Sequence, residues 1–395
     1  MFDSTRRFLA FSTGFAIPIS AALTNILSPL ILLLILAEGR FQQKFNTLRL
    51  HPVGVLAVLL FTVMLLGLFY TPVSFLEAGR MLDKYREFLY IPLFILVFRD
   101  RQTRQLGFYA FIGAMTLTLF LSYLMAITGW HIGKGSPEAP FVFKTYITQS
   151  VFMALAAYFL AVRCWFDLHR WRWLLGIWVL LAVYNILFMS DGRTGYLVLF
   201  FLIFLFFYQV YRAKGILIGS LVLLVLSVLA YTYSDALRHR VDNLVESVQN
   251  YQPGETSNSA KLRLEFLNNS LALIAEKPVF GHGTGSFSYK YKELAERQGL
   301  KTTTNPHSDY LMIGVQWGLM GVGVFLILLF MMWKTSHYLD RNDKLMAQGL
   351  VVTIAVGCLV NSFWLDHTEG HVFAYLTGVF YGGLLLQPRS YSTKD

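Results

Sequence analysis

Residues 302–314 read Thr302-Thr303-Thr304-Asn305-Pro306-His307-Ser308-Asp309-Tyr310-Leu311-Met312-Ile313-Gly314. Here the chain turns from polar to apolar, and the apolar run continues to about residue 332. The turn closes a 75-residue polar interval, 233–307, in a chain that is otherwise a succession of apolar runs. Runs of about 17 to 22 apolar residues are long enough to cross a bilayer. Backbone in lipid must satisfy its own hydrogen bonds, so such runs form helices. The pattern predicts an all-α polytopic membrane protein with one long helical loop.

Composition supports that class. The chain has 395 residues, of which 55% are hydrophobic and 14% charged, which excludes an ordinary soluble domain. The net charge of +10 does not point to nucleic acid, because the lysines and arginines gather in the loops between apolar runs. The two cysteines, Cys164 and Cys358, lack metal-ligand spacing and predict no disulfide framework. Arg6 and Arg7 precede an apolar segment as in a signal peptide. No small-residue cleavage site leads into a soluble domain, so the segment reads as an uncleaved first span.

Twelve spans are expected, near 8–23, 25–38, 51–70, 87–98, 106–127, 146–162, 173–189, 194–209, 215–232, 308–332, 346–364 and 370–387. This divides the chain into nine spans over 1–232, a helical loop domain over 233–307, and three spans over 308–395. With the N-terminus inside, the inner segments hold 18 Lys and Arg and the short outer loops hold 6. That asymmetry sets the orientation. The long loop, Arg193, and the segments around Arg80 and Asp366 then face outward.

The long loop has helical patterning. Leu237, Val241, Leu244, Val245 and Val248 form an amphipathic stripe, ended by Pro253-Gly254. A second helix is capped near Ser257 to Ser259 and stopped by Pro278. A third, near 286–298, ends at Gly299.

Three places carry candidate chemistry. Arg193 follows a Ser190-Asp191-Gly192 turn and opens a span, where free backbone N–H groups and a guanidinium fork suit an anion. Arg263 lies on the second loop helix. His307 ends the loop; with Asn305 as cap and Pro306 in the first turn, it stands at a helix N-terminus, where the dipole keeps imidazole neutral and able to act as a base. Weaker candidates surround these. The run Gly281-His282-Gly283-Thr284-Gly285 offers backbone N–H groups to phosphate but lacks a P-loop lysine. Arg80, Lys84 and Arg86 offer contacts to lipid phosphate. The cluster Asp366-His367-Thr368-Glu369-Gly370-His371 reads as a helix cap, with a metal site or a substrate-orienting role as alternatives.

At these residues the chain resembles the O-antigen ligase (WaaL) family, within the wider ligase/polymerase superfamily of bacterial surface glycans. The resemblance rests on the twelve spans, the long loop between spans nine and ten, a small-residue-Arg-x-Gly motif at Arg193, an arginine at Arg263, and Pro306-His307-x-x-Tyr310-Leu311. The family's Ser-Arg-x-Gly is here Gly192-Arg193-Thr194-Gly195. The resemblance implies a GT-C-like, metal-independent, inverting glycosyltransferase of the bacterial inner membrane, working at the periplasmic face without a cofactor. It would move O-antigen from undecaprenyl diphosphate to lipid A–core among the membrane lipids. Arg193 and Arg263 would hold the diphosphate, His307 would be the base, and Tyr310 would line the substrate site. An O-antigen polymerase or protein O-oligosaccharyltransferase stays open, as does a non-catalytic scaffold. A transporter or flippase places ionisable groups at mid-membrane, whereas spans 106–127 and 146–162 hold none.

Overall fold

A computed structural model describes residues 2–167, 170–190, 192–233 and 259–384, with scattered positions between 238 and 249. The helices, in order, are α1 (Phe2–Ile19), α2 (Ala21–Ala37), α3 (Phe41–Arg49), α4 (Pro52–Leu66), α5 (Phe75–Asp83), α6 (Glu87–Val97), α7 (Arg101–Thr128), α8 (Tyr146–Phe166), α9 (Arg172–Tyr184), α10 (Arg193–Tyr211), α11 (Ala213–Tyr233), α12 (Ser259–Glu276), α13 (Ser286–Gln298), α14 (Asp309–Ser336), α15 (Arg341–Val360) and α16 (His367–Tyr381). No β-strand occurs among the described residues. Polar side chains cap many of the helices: Ser20, Ser74, Asp100, Thr145, Ser308 and Asp366 each accept a bond from a first-turn N–H.

The chain is a multi-pass membrane protein. Among the described residues eight helices are long and apolar enough to cross a bilayer, or nine if α2 and α3, bent by 115°, count as one span. Three of the twelve expected spans, α1, α6 and α16, fall short of that measure. α1 carries Asp3, Arg6 and Arg7 in its first turns. α6 has 11 residues, roughly 16 Å against a hydrocarbon core of about 30 Å. α16 has 15 residues. Both α6 and α16 are buried along most of their length, so their apolar runs serve protein packing rather than lipid contact.

The centre of the bundle is α8, packed on α9, α10 and α15; α14 packs on α4 and α15, and α6 on α16. Tyr158 ties three of these together, its hydroxyl 2.6 Å from Gln209 Oε1 and 2.8 Å from Leu345 O. α9 and α11 turn large apolar side chains such as Leu180 and Leu217 outward, as lipid-facing helices do. α12 and α13 dock on α14. α12 stops before Pro278, and α13 ends on a left-handed Gly299, as expected. The amphipathic stripe over 237–248 and the break at Pro253-Gly254 lie largely outside the described residues.

Candidate active site

Arg193 is placed by the two glycines around it. The last turn of α9 widens into a π-helix over Asn185–Met189, and the chain then reverses into α10. Gly192 and Gly195 both press on Ser150 of α8. A Cβ at either would stand 2.0 or 2.3 Å from Ser150 Oγ, a distance no side chain tolerates. The motif is therefore a close-packing motif. It seats the first turn of α10 against α8 and leaves Arg193, the first residue of α10, half-buried at the mouth. Asp191 lies outside the described residues.

Arg263 projects from α12 toward the same mouth. Burial lowers its pKa first and the adjacent Arg193 guanidinium second, with the Tyr146 phenol acting in the opposite sense. Two guanidinium groups held close enough to disfavour each other's charge make a place where an anion is stabilised.

His307 joins them, but not as a helix-terminal residue. Ser308, not Asn305, caps α14, its hydroxyl accepting from Leu311 N and donating to Cys358 O. Asn305 instead turns back, its Oδ1 accepting from the His307 backbone N–H at 2.8 Å and from the Ser362 hydroxyl at 2.7 Å. His307 thus precedes the helix, with φ +54°, a conformation uncommon outside glycine. Its imidazole is half-buried and its pKa is lowered, first by burial and then by the Arg263 charge. The lowered pKa expected from the sequence has another cause: desolvation and a neighbouring cation replace the helix dipole.

Two spaces meet at these residues. A polar chamber of about 960 Å³ is lined by Lys84, Tyr146, Arg263, Asn305, His307 and Glu369, among others. A more apolar cleft of about 420 Å³, between α10, α12 and α14, is lined by Arg193, Arg263, Leu264, His307 and Leu311. Arg263 and His307 belong to both and form the wall between them. Beyond Arg193 and Tyr196 the cleft runs on into an apolar groove of about 640 Å³ between α10 and α11. The far end of the bundle differs. There Arg101, Arg104, Arg163 and Arg341 surround a smaller cavity. α8 runs from Tyr146 at the chamber to Arg163 at that cavity, roughly 25 Å along its axis, so the two spaces lie at opposite ends of the bundle.

The other sequence candidates separate. Lys84 is exposed and reaches the chamber. Arg80 is exposed on α5 and lines none of these spaces. Arg86 is committed to structure, its guanidinium bonding Asp83 and Asn25 at 3.2 Å. Gly283 is no phosphate cradle. The backbone N–H groups of His282, Gly283 and Thr284 are bound to the carbonyls of Val315, Gln316 and Gly67, and that of Gly285 to Gln316 Oε1. A Cβ on Gly283 would meet Thr71 Cα at 2.6 Å. The run wedges the loop between α4 and the break in α14 at Gly318, and every donor it would offer phosphate is already used. Tyr310 points away from the chamber, its hydroxyl on Ala355 O at 3.2 Å.

In the 366–371 cluster, Asp366 caps α16 through Thr368 N. Among the described residues no group of three or more His, Cys, Asp or Glu is arranged to hold a metal. Sequence reasoning missed Glu87, which pairs with this cluster across the fold. His367 Nδ1 lies 2.7 Å from Glu87 Oε1, and His371 Nδ1 lies 3.3 Å from it. The signal available was a glutamate heading an unbroken apolar run.

Comparison with known proteins bears on this geometry. Residues 177–326 match the family described as O-Antigen ligase. The chain carries an O-antigen ligase family domain. That domain starts in α9 and ends within α14, so it spans Arg193, Arg263 and His307. The chain is also similar to an uncharacterized protein of Haemophilus influenzae, 24% identical over 186 residues, which cover 44% of this chain and 47% of that protein. The chain thus spans about half the length of this curated relative. The match, in a multi-pass helical protein, supports a place in the ligase/polymerase superfamily.

Proposed function

We propose that this protein is an O-antigen ligase of the bacterial inner membrane, acting at the periplasmic face as a metal-independent, inverting transferase of the GT-C-like class. The observation that carries the reading is the meeting of Arg193, Arg263 and His307 where an apolar groove opens into a polar chamber. The donor is O-antigen on undecaprenyl diphosphate. Its polyprenyl chain lies in the groove between α10 and α11, and its diphosphate lies between Arg193 and Arg263. The acceptor, a hydroxyl of lipid A–core, enters the chamber. As the acceptor oxygen attacks the anomeric carbon from the side opposite the diphosphate, His307 takes the hydroxyl proton. The carbon–oxygen bond to the diphosphate breaks, and that bond's electrons leave with the lipid diphosphate. The two guanidinium groups stabilise the charge that develops there, a contribution typically worth about 10² to 10³ in rate per donor.

The test is transfer by purified protein from undecaprenyl-diphosphate-linked polysaccharide to lipid A–core in detergent. Appearance of a capped core with release of undecaprenyl diphosphate is the expected result. Extension of the lipid-linked glycan without core transfer would instead assign a polymerase, and modification of a protein acceptor an oligosaccharyltransferase.

A further inference from the structure

The first turn of α16 forms part of the chamber wall and holds polar groups that the transfer step above leaves unused. Glu369 lines the chamber yet is 1% exposed. Its Oε1 accepts a bond from Thr148 Oγ1 at 2.6 Å, while its Oε2 is buried and has no hydrogen-bond partner. His367, two residues earlier, also lines the chamber. Its Nδ1 is taken by Glu87, which is wholly buried under the same turn. Gly370 makes that burial feasible, because a Cβ there would stand 2.8 Å from Glu87 Cγ. With Nδ1 held by the Glu87 carboxylate, Nε2 is the ring nitrogen left for a ligand. Lys144 closes the turn from the side, its Nζ 3.3 Å from Thr368 Oγ1.

A purely structural clasp between α6 and α16 would satisfy its own polar atoms. This one leaves Glu87 Oε2, Glu369 Oε2 and His371 Nε2 buried without partners. Each such atom costs stability, typically about 1 to 3 kcal/mol. A leucine or methionine at 369 would pack without that cost. Three residues of the 366–371 cluster, Asp366, His367 and Glu369, border the space that also holds His307. The geometry points to a ligand rich in hydroxyl groups.

We propose that His367 and Glu369 form the acceptor-sugar subsite of the chamber, Glu369 Oε2 hydrogen-bonding one acceptor hydroxyl and His367, held by Glu87, bonding a second, so that the reacting hydroxyl stands at His307. This rests on the reading of the chamber as the transfer site. Glu369 and His367 are binding residues, and Glu87 is a positioning residue acting through His367. None of them takes the proton that is lost from the attacking hydroxyl.

Steady-state transfer separates these roles. Glu369→Gln keeps the shape and the Thr148 bond but replaces the carboxyl Oε2 with an amide NH₂, which can only donate. It should raise the acceptor KM by about tenfold or more and leave the donor KM unchanged. His367→Gln and Glu87→Gln should raise the acceptor KM in the same way. Thr148→Val, which frees Glu369 to move, provides the same readout should Glu369→Gln fail to fold. A change in melting temperature with an unaltered acceptor KM in all four variants would reduce the cluster to a clasp and overturn the proposal. A fall in kcat at constant acceptor KM in Glu369→Gln would make Glu369 the base and overturn it as well. Wild-type protein that transfers nothing from the lipid diphosphate donor would remove the ligase reading and the subsite together. Wild-type transfer with unaltered KM values in the variants would remove the subsite alone.

Discussion

The His307 imidazole lies against the Phe266 ring, with centroids 6.2 Å apart and planes 25° from parallel. Phe266 follows Arg263 by one helical turn of α12, so a single helix presents the guanidinium and the surface on which the histidine rests. We expect Phe266→Ala to lower turnover by about tenfold with little change in donor KM, in keeping with the sensitivity of rate to small misplacement. Unchanged kcat at equal protein level would show that the stack does not orient the base.

With His307 as the proposed base, its protonation should set the acid limb of activity. Its pKa lies below the ordinary 6.5 because burial and the Arg263 charge both disfavour imidazolium. The neutral, proton-accepting form therefore persists to lower pH than in an exposed histidine. Turnover should be on its plateau at pH 7 and should fall only as pH drops through that lowered value. A pH–rate profile whose acid midpoint sits at or above 6.5 would contradict the assignment. His307→Ala and His307→Gln should each lose about 10² to 10⁴ in rate, glutamine faring no better because it cannot take a proton.

Arg193→Ala and Arg263→Ala should each reduce turnover by on the order of 10² or more. Lysine should restore only part, since it lacks the planar two-pronged donor. In the proposed mechanism two guanidinium groups supply the positive charge at the diphosphate, so transfer should survive EDTA. Loss of activity on chelation with recovery on adding Mg²⁺ would require another source of that charge.

Gly195→Ala tests how Arg193 is seated. The new Cβ would fall 2.3 Å from Ser150 Oγ and 2.4 Å from Ser150 Cβ. Overpacking of this kind costs about 1 to 3 kcal/mol, so the melting temperature in detergent should drop. The double variant Ser150→Gly, Gly195→Ala should recover most of it. No recovery would show that the contact between α8 and α10 is not the constraint on this motif.

Sidedness can be read by labelling. In a background of Cys164→Ser and Cys358→Ala, a membrane-impermeant thiol reagent added from outside should modify Lys292→Cys on α13 and spare Lys214→Cys at the start of α11. The reverse pattern would place the chamber on the cytoplasmic side and end the proposed function.

Much of this protein is legible in one dimension because lipid is a simple solvent. Apolar run length marks the spans, loop charge marks the sides, and an arginine or histidine at the edge of a span stands out where every neighbour is apolar. Arg193 and His307 could be picked out that way, Arg263 through the family resemblance, and the helices at 259–276 and 286–298 through their caps and breakers. Their convergence could not. It depends on how tightly α10 packs on α8 and on where α12 docks on α14, and packing distances are not written in hydropathy. The same limit explains the differences. Asn305 and Ser308 are equally good caps by residue type, and only the position of Ser362 and Cys358 decides which one starts α14. Gly283 has the look of a phosphate loop, yet whether its neighbours' N–H groups are free depends on α4 and α14 closing around them. Glu87 and His367 are 280 residues apart in the chain. A pairing at that range is chosen by the fold as a whole, since burying the carboxylate of Glu87 is tolerable only where packing brings the histidines of α16 to meet it.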